Sequence, residues 1–74
     1  MAVISTWAMT SEAIWTAGNE GGFSDTYMTP LRTDWLQRMR SASYREYFRE
    51  YGSRYHSQAF NNFVNSLIQE VDAP

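Results

Sequence analysis

Residues 57–71 read SQAFNNFVNSLIQEV, and their spacing decides the fold class. Ala59, Phe60, Phe63, Val64, Leu67, Ile68 and Val71 recur at three- and four-residue intervals for more than three turns, the period of a helix buried along one side. Ser53 or Ser57 supplies a residue type suited to the N-cap. This is the strongest helical pattern in the chain, and nothing elsewhere alternates with the period of a strand.

Working toward the N-terminus, residues 43–60, SYREYFREYGSRYHSQAF, hold four tyrosines, two phenylalanines and three arginines. Tyr44, Tyr47, Phe48 and Tyr51 stand at i, i+3, i+4 and i+7, so one helical face is aromatic, while Arg45, Glu46, Arg49 and Glu50 take the opposite side. Ser43 and Glu46 have the S-x-x-E spacing of a capping box, and Gly52 is expected to close the segment. Upstream, TPLRTDWLQRM predicts a helix over about 30–41, with Thr29 as N-cap, Pro30 at the first helical position and Leu31, Trp35, Leu36 and Met39 as its apolar face. Whether residues 30–51 form one bent helix or two is open at this level. The glycine-rich stretch 18–28 reads as a loop whose Phe23 and Tyr27 can pack back onto the bundle. The segment STWAMTSEAIWTAGN predicts a helix over 6–17 between Ser5 as N-cap and Gly18 as left-handed C-cap; a short strand at AVIST before a shorter helix is the rival reading. Residues 72–74 are expected to fray. The predicted architecture is all-α, a small bundle of three to four helices forming a single domain over 1–74.

At 74 residues the chain buries only about 60% of the surface its unfolded form exposes. A core of this size supplies about 3–5 kcal/mol, which small proteins supplement with disulfides, metals or association. Cysteine is absent and histidine occurs once, which removes the disulfide route and the usual four Cys or His ligands of a structural zinc site. An aromatic content of 16% is more than one small core needs and favours a partner. The opening MAVISTWAM lacks the basic and apolar regions of a signal peptide. With no long apolar run either, the expectation is a cytoplasmic protein without a membrane partner.

Catalytic chemistry has little to stand on. His56 is the one candidate base and reads as an exposed or lightly bonded residue near Tyr55; no nucleophile elbow surrounds a serine. GNEGG lacks the lysine of a phosphate-binding loop, a residue type this chain does not contain. No catalytic residue, cofactor or metal is expected.

Binding chemistry has more. Residues 31–60 carry all six arginines against Asp34, Glu46 and Glu50, and arginine pairs bidentately and stacks where lysine cannot. Two expected ion pairs, Glu46 with Arg49 and Glu50 with Arg54, together with a pI near 5.1, weigh against nucleic acid as the partner. A helix-turn-helix reading of 44–67 fits poorly, because Phe48 occupies the position before the turn where a small residue is usual and the second helix offers asparagines where base-reading arginines would stand. Tyr44, Arg45, Arg49, Tyr51, Arg54 and Tyr55 form the first candidate partner surface, tyrosine and arginine being enriched among binding hot spots. Gln58, Asn62, Asn65 and Gln69, at i, i+4, i+7 and i+11, form a second, an uncharged stripe that is cheap to desolvate. The expectation is a non-enzymatic protein of inhibitor or adaptor type that binds another protein, a second copy of itself included, with a size profile shared by proteins that phages and mobile elements encode. The alternatives are a nucleic-acid-associated module using residues 44–55, or a structural subunit of a larger assembly.

Overall fold

The Ser57 hydroxyl accepts the Phe60 N–H at 3.1 Å and starts helix α4, Gln58–Asp72, along the pattern that 57–71 spell out. The computed structural model describes residues 2–73. Among them three further helices precede α4: α1, Ala2–Asn19; α2, Asp25–Arg38; and α3, Ala42–Tyr55. No strand occurs among the described residues. Helix α4 packs against each of the other three, and α1 also packs on α3. The radius of gyration, 11.9 Å, is close to the about 11 Å expected of one folded domain this long.

The core draws on every helix: Ala8 from α1, Trp35 from α2, Met39 from the turn after it, Tyr47 and Phe48 from α3, and Phe60, Val64 and Leu67 from α4. Half-buried aromatics close its rim. Trp15 stacks on Phe63 at 5.2 Å and 27°, and Phe63 meets Trp35 edge-on. Phe63 is therefore a rim residue, while Leu67 is fully core. Trp35 Nε1 donates to the buried Ser11 hydroxyl at 3.1 Å, joining α2 to α1.

Several boundaries differ from the sequence reading. Ser5 lies inside α1 and is not its cap. The left-handed residue is Gly21, with φ of 81°, and not Gly18, because α1 continues to Asn19 before the chain turns. The Gly21 N–H bonds Gly18 O at 3.0 Å and the Gly22 N–H bonds Ala17 O at 2.8 Å, the paired bonds of a Schellman ending. The loop is thereby cut short, and Phe23 and Tyr27, both exposed, pack on each other at a tilt, with ring centres 4.7 Å apart.

Helix α2 begins one turn early. Ser24 accepts the Tyr27 N–H at 3.3 Å, and Asp25 adds a negative charge to the first turn. Thr29 is consequently no cap: its hydroxyl donates to Asp25 O at 2.8 Å, and Pro30 falls in the second turn. Proline favours the first turn without requiring it, and the buried face that Trp35 anchors outweighs the bond it lacks.

Residues 30–51 form two helices, broken at Met39–Ser41. The N-cap of α3 is Ser41, without a side-chain bond, so the Ser43–Glu46 capping box does not form and Glu46 turns to Arg49 instead. Gly52 does not end α3. It is buried where α4 crosses, and a methyl group there would run into Asn61 Oδ1. Its value is closeness of approach. Asp72 is the last residue of α4, and Pro74 lies outside the described residues.

Candidate functional site

Packing divides the aromatic face of α3. Tyr47 and Phe48 are core, and Tyr44 and Tyr51 are half-buried. Tyr44 meets Trp7 edge-on at 5.0 Å, and its hydroxyl accepts from Arg38 Nη1 at 2.7 Å. The Arg38 guanidinium lies 5.3 Å from the Trp7 ring and 5.5 Å from the Tyr44 ring, so Tyr44 serves the α1–α2–α3 junction. Tyr51 and Tyr55 lie 6.0 Å apart near the end of α3, with Tyr55 exposed.

The arginines part in the same way. Arg45 Nε donates to Met39 O, and its other nitrogens take both Asp72 oxygens at 3.2 and 2.8 Å. It therefore holds the α2–α3 turn and the end of α4, so a residue expected on a partner surface is tied into the fold. Arg49 has only Glu46, one turn away on its own helix, and its side chain is 75% exposed. Of the two expected pairs on α3, the structure forms Glu46–Arg49. Arg54 is exposed.

Between α3 and α4 lies a groove of about 470 Å³. Arg45, Arg49 and Ser53 form one wall, Gln58 and Asn65 the other, and Phe48 and Ile68 contribute apolar lining. Two surfaces that the sequence keeps apart thus close on one hollow. Gln58 also donates through Nε2 to Asn62 Oδ1 at 2.9 Å, while Asn62 and Gln69 remain exposed beyond the groove. Tyr44, Tyr51, Arg54 and Tyr55 take no part in its walls. A second hollow, also of about 470 Å³, lies beside Trp15, Met28, Trp35 and Phe63. It contains none of the candidate residues, so volume does not choose between the two.

His56 is neither exposed nor loosely held. Its side chain is fully buried, with Nδ1 2.7 Å from Glu12 Oε1 and Nε2 2.9 Å from the Tyr47 hydroxyl. A carboxylate only accepts, so Nδ1 carries the proton and donates; in the neutral ring Nε2 accepts from the phenol. The other carboxylate oxygen accepts the Ser57 N–H at 2.9 Å. Burial works to raise the Glu12 pKa, but the bonds from Ser57 and His56 prevail and leave it below the ordinary 4.5. An acid, an imidazole and a hydroxyl in a row resemble a catalytic relay. Tyr47, however, is only 2% exposed and neither hollow reaches it. The row joins α1, α3 and the start of α4.

Glu12 was not singled out by sequence. A signal existed: it is the one charged residue between Ala2 and Asn19, and it follows Ala8 by one turn on the side that packs inward. Asn61 was also missed. Its Nδ2 lies within bonding reach of Gly52 O, Ser57 O and His56 O, at 2.9, 2.9 and 3.3 Å, and so ties the last turn of α3 to the start of α4.

Among the described residues no helix is long and apolar enough to cross a membrane, and no cluster of three His, Cys, Asp or Glu residues could hold a metal. Comparison with protein-family models, with curated proteins and with solved structures finds no match.

Proposed function

We propose that the protein acts without catalysis, as an inhibitor or adaptor in the cytoplasm, by seating part of another protein in the groove between α3 and α4. The observation that carries this reading is the convergence of Arg49, from the charged side of α3, with Gln58 and Asn65, from the amide stripe of α4, around Phe48 and Ile68. Amides are desolvated at less cost than charges, apolar lining adds burial, and an exposed arginine offers the side-chain type most often found as an anchor. Four of the six arginines are held by carboxylates, in the pairs Arg32–Glu70, Arg38–Asp34, Arg45–Asp72 and Arg49–Glu46. Little unneutralised positive charge is left to attract phosphates, which favours a protein over a nucleic acid.

The test uses the partner captured from the source cell and two groove variants, Arg49→Glu and Asn65→Arg. Each should lower affinity at least about tenfold while melting like the parent. Unchanged affinity in both overturns the groove. A steep log-linear loss of binding with salt would identify a nucleic acid instead.

A further inference from the structure

We propose that the outward face of α1 is a self-association surface, across which two copies of the chain pair antiparallel. Glu12 is the sole charged residue of α1, and it is turned inward to His56 and Ser57. What remains outside is Val3, Thr6, Met9, Thr10, Ala13 and Thr16, all exposed. Val3 is 78% exposed and Met9 50%. Five turns of helix therefore face outward without a charge, whereas the outer sides of α2 and α3 carry Arg32, Asp34, Glu46, Arg49, Glu50 and Arg54.

The same region gathers most of the large apolar side chains that folding leaves uncovered. Of the five, Val3 and Met9 lie on α1, and Phe23 and Tyr27 lie at the corner that ends it. That corner is drawn back toward α1 by the Gly22 N–H bond to Ala17 O.

Charge selects a second copy as the occupant. In a two-fold contact each patch meets its own kind, so a charge near the axis faces a like charge. The α1 face has none near its middle and escapes that cost; Glu20 and Asp25 stand at its far corner, which antiparallel pairing sets against Val3 and not against its own copy, while α2 and α3 carry charges along their outer faces. Antiparallel pairing brings Val3 of each copy toward the Phe23–Tyr27 corner of the other, with Thr10 and Ala13, in the middle turns of α1, near the axis, where the small side chain of Ala13 permits close approach. Helix α1 spans about 27 Å, and a contact one helix wide is small beside the about 1,200–2,000 Å² typical of stable specific interfaces. The dimer therefore dissociates on dilution.

The chain has no cysteine, so single cysteines report cleanly. Sedimentation equilibrium should show a monomer–dimer equilibrium, and Met9→Glu with Ala13→Glu should weaken it at least about tenfold with helical circular dichroism unchanged. Under mild oxidation Ala13→Cys should cross-link to itself, and Asn62→Cys, exposed on α4, should not. A parent that stays monomeric at every concentration overturns the proposal, as does a dimer that survives both glutamates or cross-links equally at the two sites. Should the double variant unfold, the cysteine pair decides. The groove variant Asn65→Arg should dimerise like the parent, which separates this surface from the proposed partner site.

Discussion

Two places in the molecule join helices through acid–base pairs, and they differ in access to water. At the first, Glu12 reaches His56 and Ser57, and His56 reaches Tyr47, all at the corner where α3 turns into α4. At the second, along the last turns of α4, Glu70 takes Arg32 and Asp72 takes Arg45. Both sets span long stretches of chain, and both have good geometry. In the first the imidazole is sealed off; in the second the partners are roughly one-third to three-fifths exposed. Water competes for the second set and screens it, whereas a partner removed from the first leaves polar atoms with no substitute. Equal distances therefore do not mean equal contributions to stability.

The largest effect expected from this contrast is at His56. Replacement by alanine leaves Glu12 Oε1 and the Tyr47 hydroxyl without their partner, Glu12 keeping only the Ser57 N–H, and removes a ring packed against Phe48 and Phe60. A loss of about 3–5 kcal/mol, from a total on the order of 4–11 kcal/mol for a chain of this length, should leave the variant largely unfolded by circular dichroism in mild urea. A small change would erase the distinction between the two places.

The next effect sharpens it through pH. Because the Glu12 pKa is lowered on folding, its contribution is fully present above the unfolded value and is lost as pH falls through the folded one. Urea melts of the parent should therefore weaken as pH drops below about 4.5. Glu12→Gln, already weaker at neutral pH by about 1–3 kcal/mol, should show a shallower decline. Some slope persists, since Glu46 and Glu70 are shifted in the same direction by Arg49 and Arg32. Equal slopes would mean that Glu12 does not sense the fold.

The smallest effects divide the wet edge itself. Arg45→Ala loses the bond to Met39 O as well as the Asp72 pair, and should cost about 1–2 kcal/mol. Arg32→Ala loses a pair exposed on both sides and should melt with the parent, more closely still at high salt. If the two variants melt alike, the Met39 carbonyl contributes nothing.

The same division explains what could be read in advance. Helix α4 was legible because its cap, Ser57, and its apolar period are local, and the core residues Phe60, Val64 and Leu67 follow from that period. The starts of α2 and α3 were not: Thr29–Pro30 and Ser43–Glu46 are valid local signals, but Ser24 and the Met39–Ser41 turn supply earlier starts that tertiary packing selects. His56 was misread because its acid lies 44 residues away on α1, beyond the reach of any spacing rule. The groove was half legible. Its two walls were named, yet nothing in the sequence said that α3 and α4 would place Arg49 and Asn65 around the same hollow, or that Arg45 would be shared with the fold.

Asn61 has a consequence in time. Every carbonyl it reaches lies within nine residues of it, so the hairpin of α3 and α4 can latch after closing a short loop, whereas α1 must be brought back across most of the chain to meet His56. Short closures come early in folding because they forfeit less entropy before contacts reward them. Loss of the Asn61 amide is accordingly expected to slow refolding, and loss of the Glu12 carboxylate to hasten unfolding, a difference that the two arms of a chevron plot would expose. The close crossing at Gly52 is then the first junction of the molecule to set, and the docking of α1 the last.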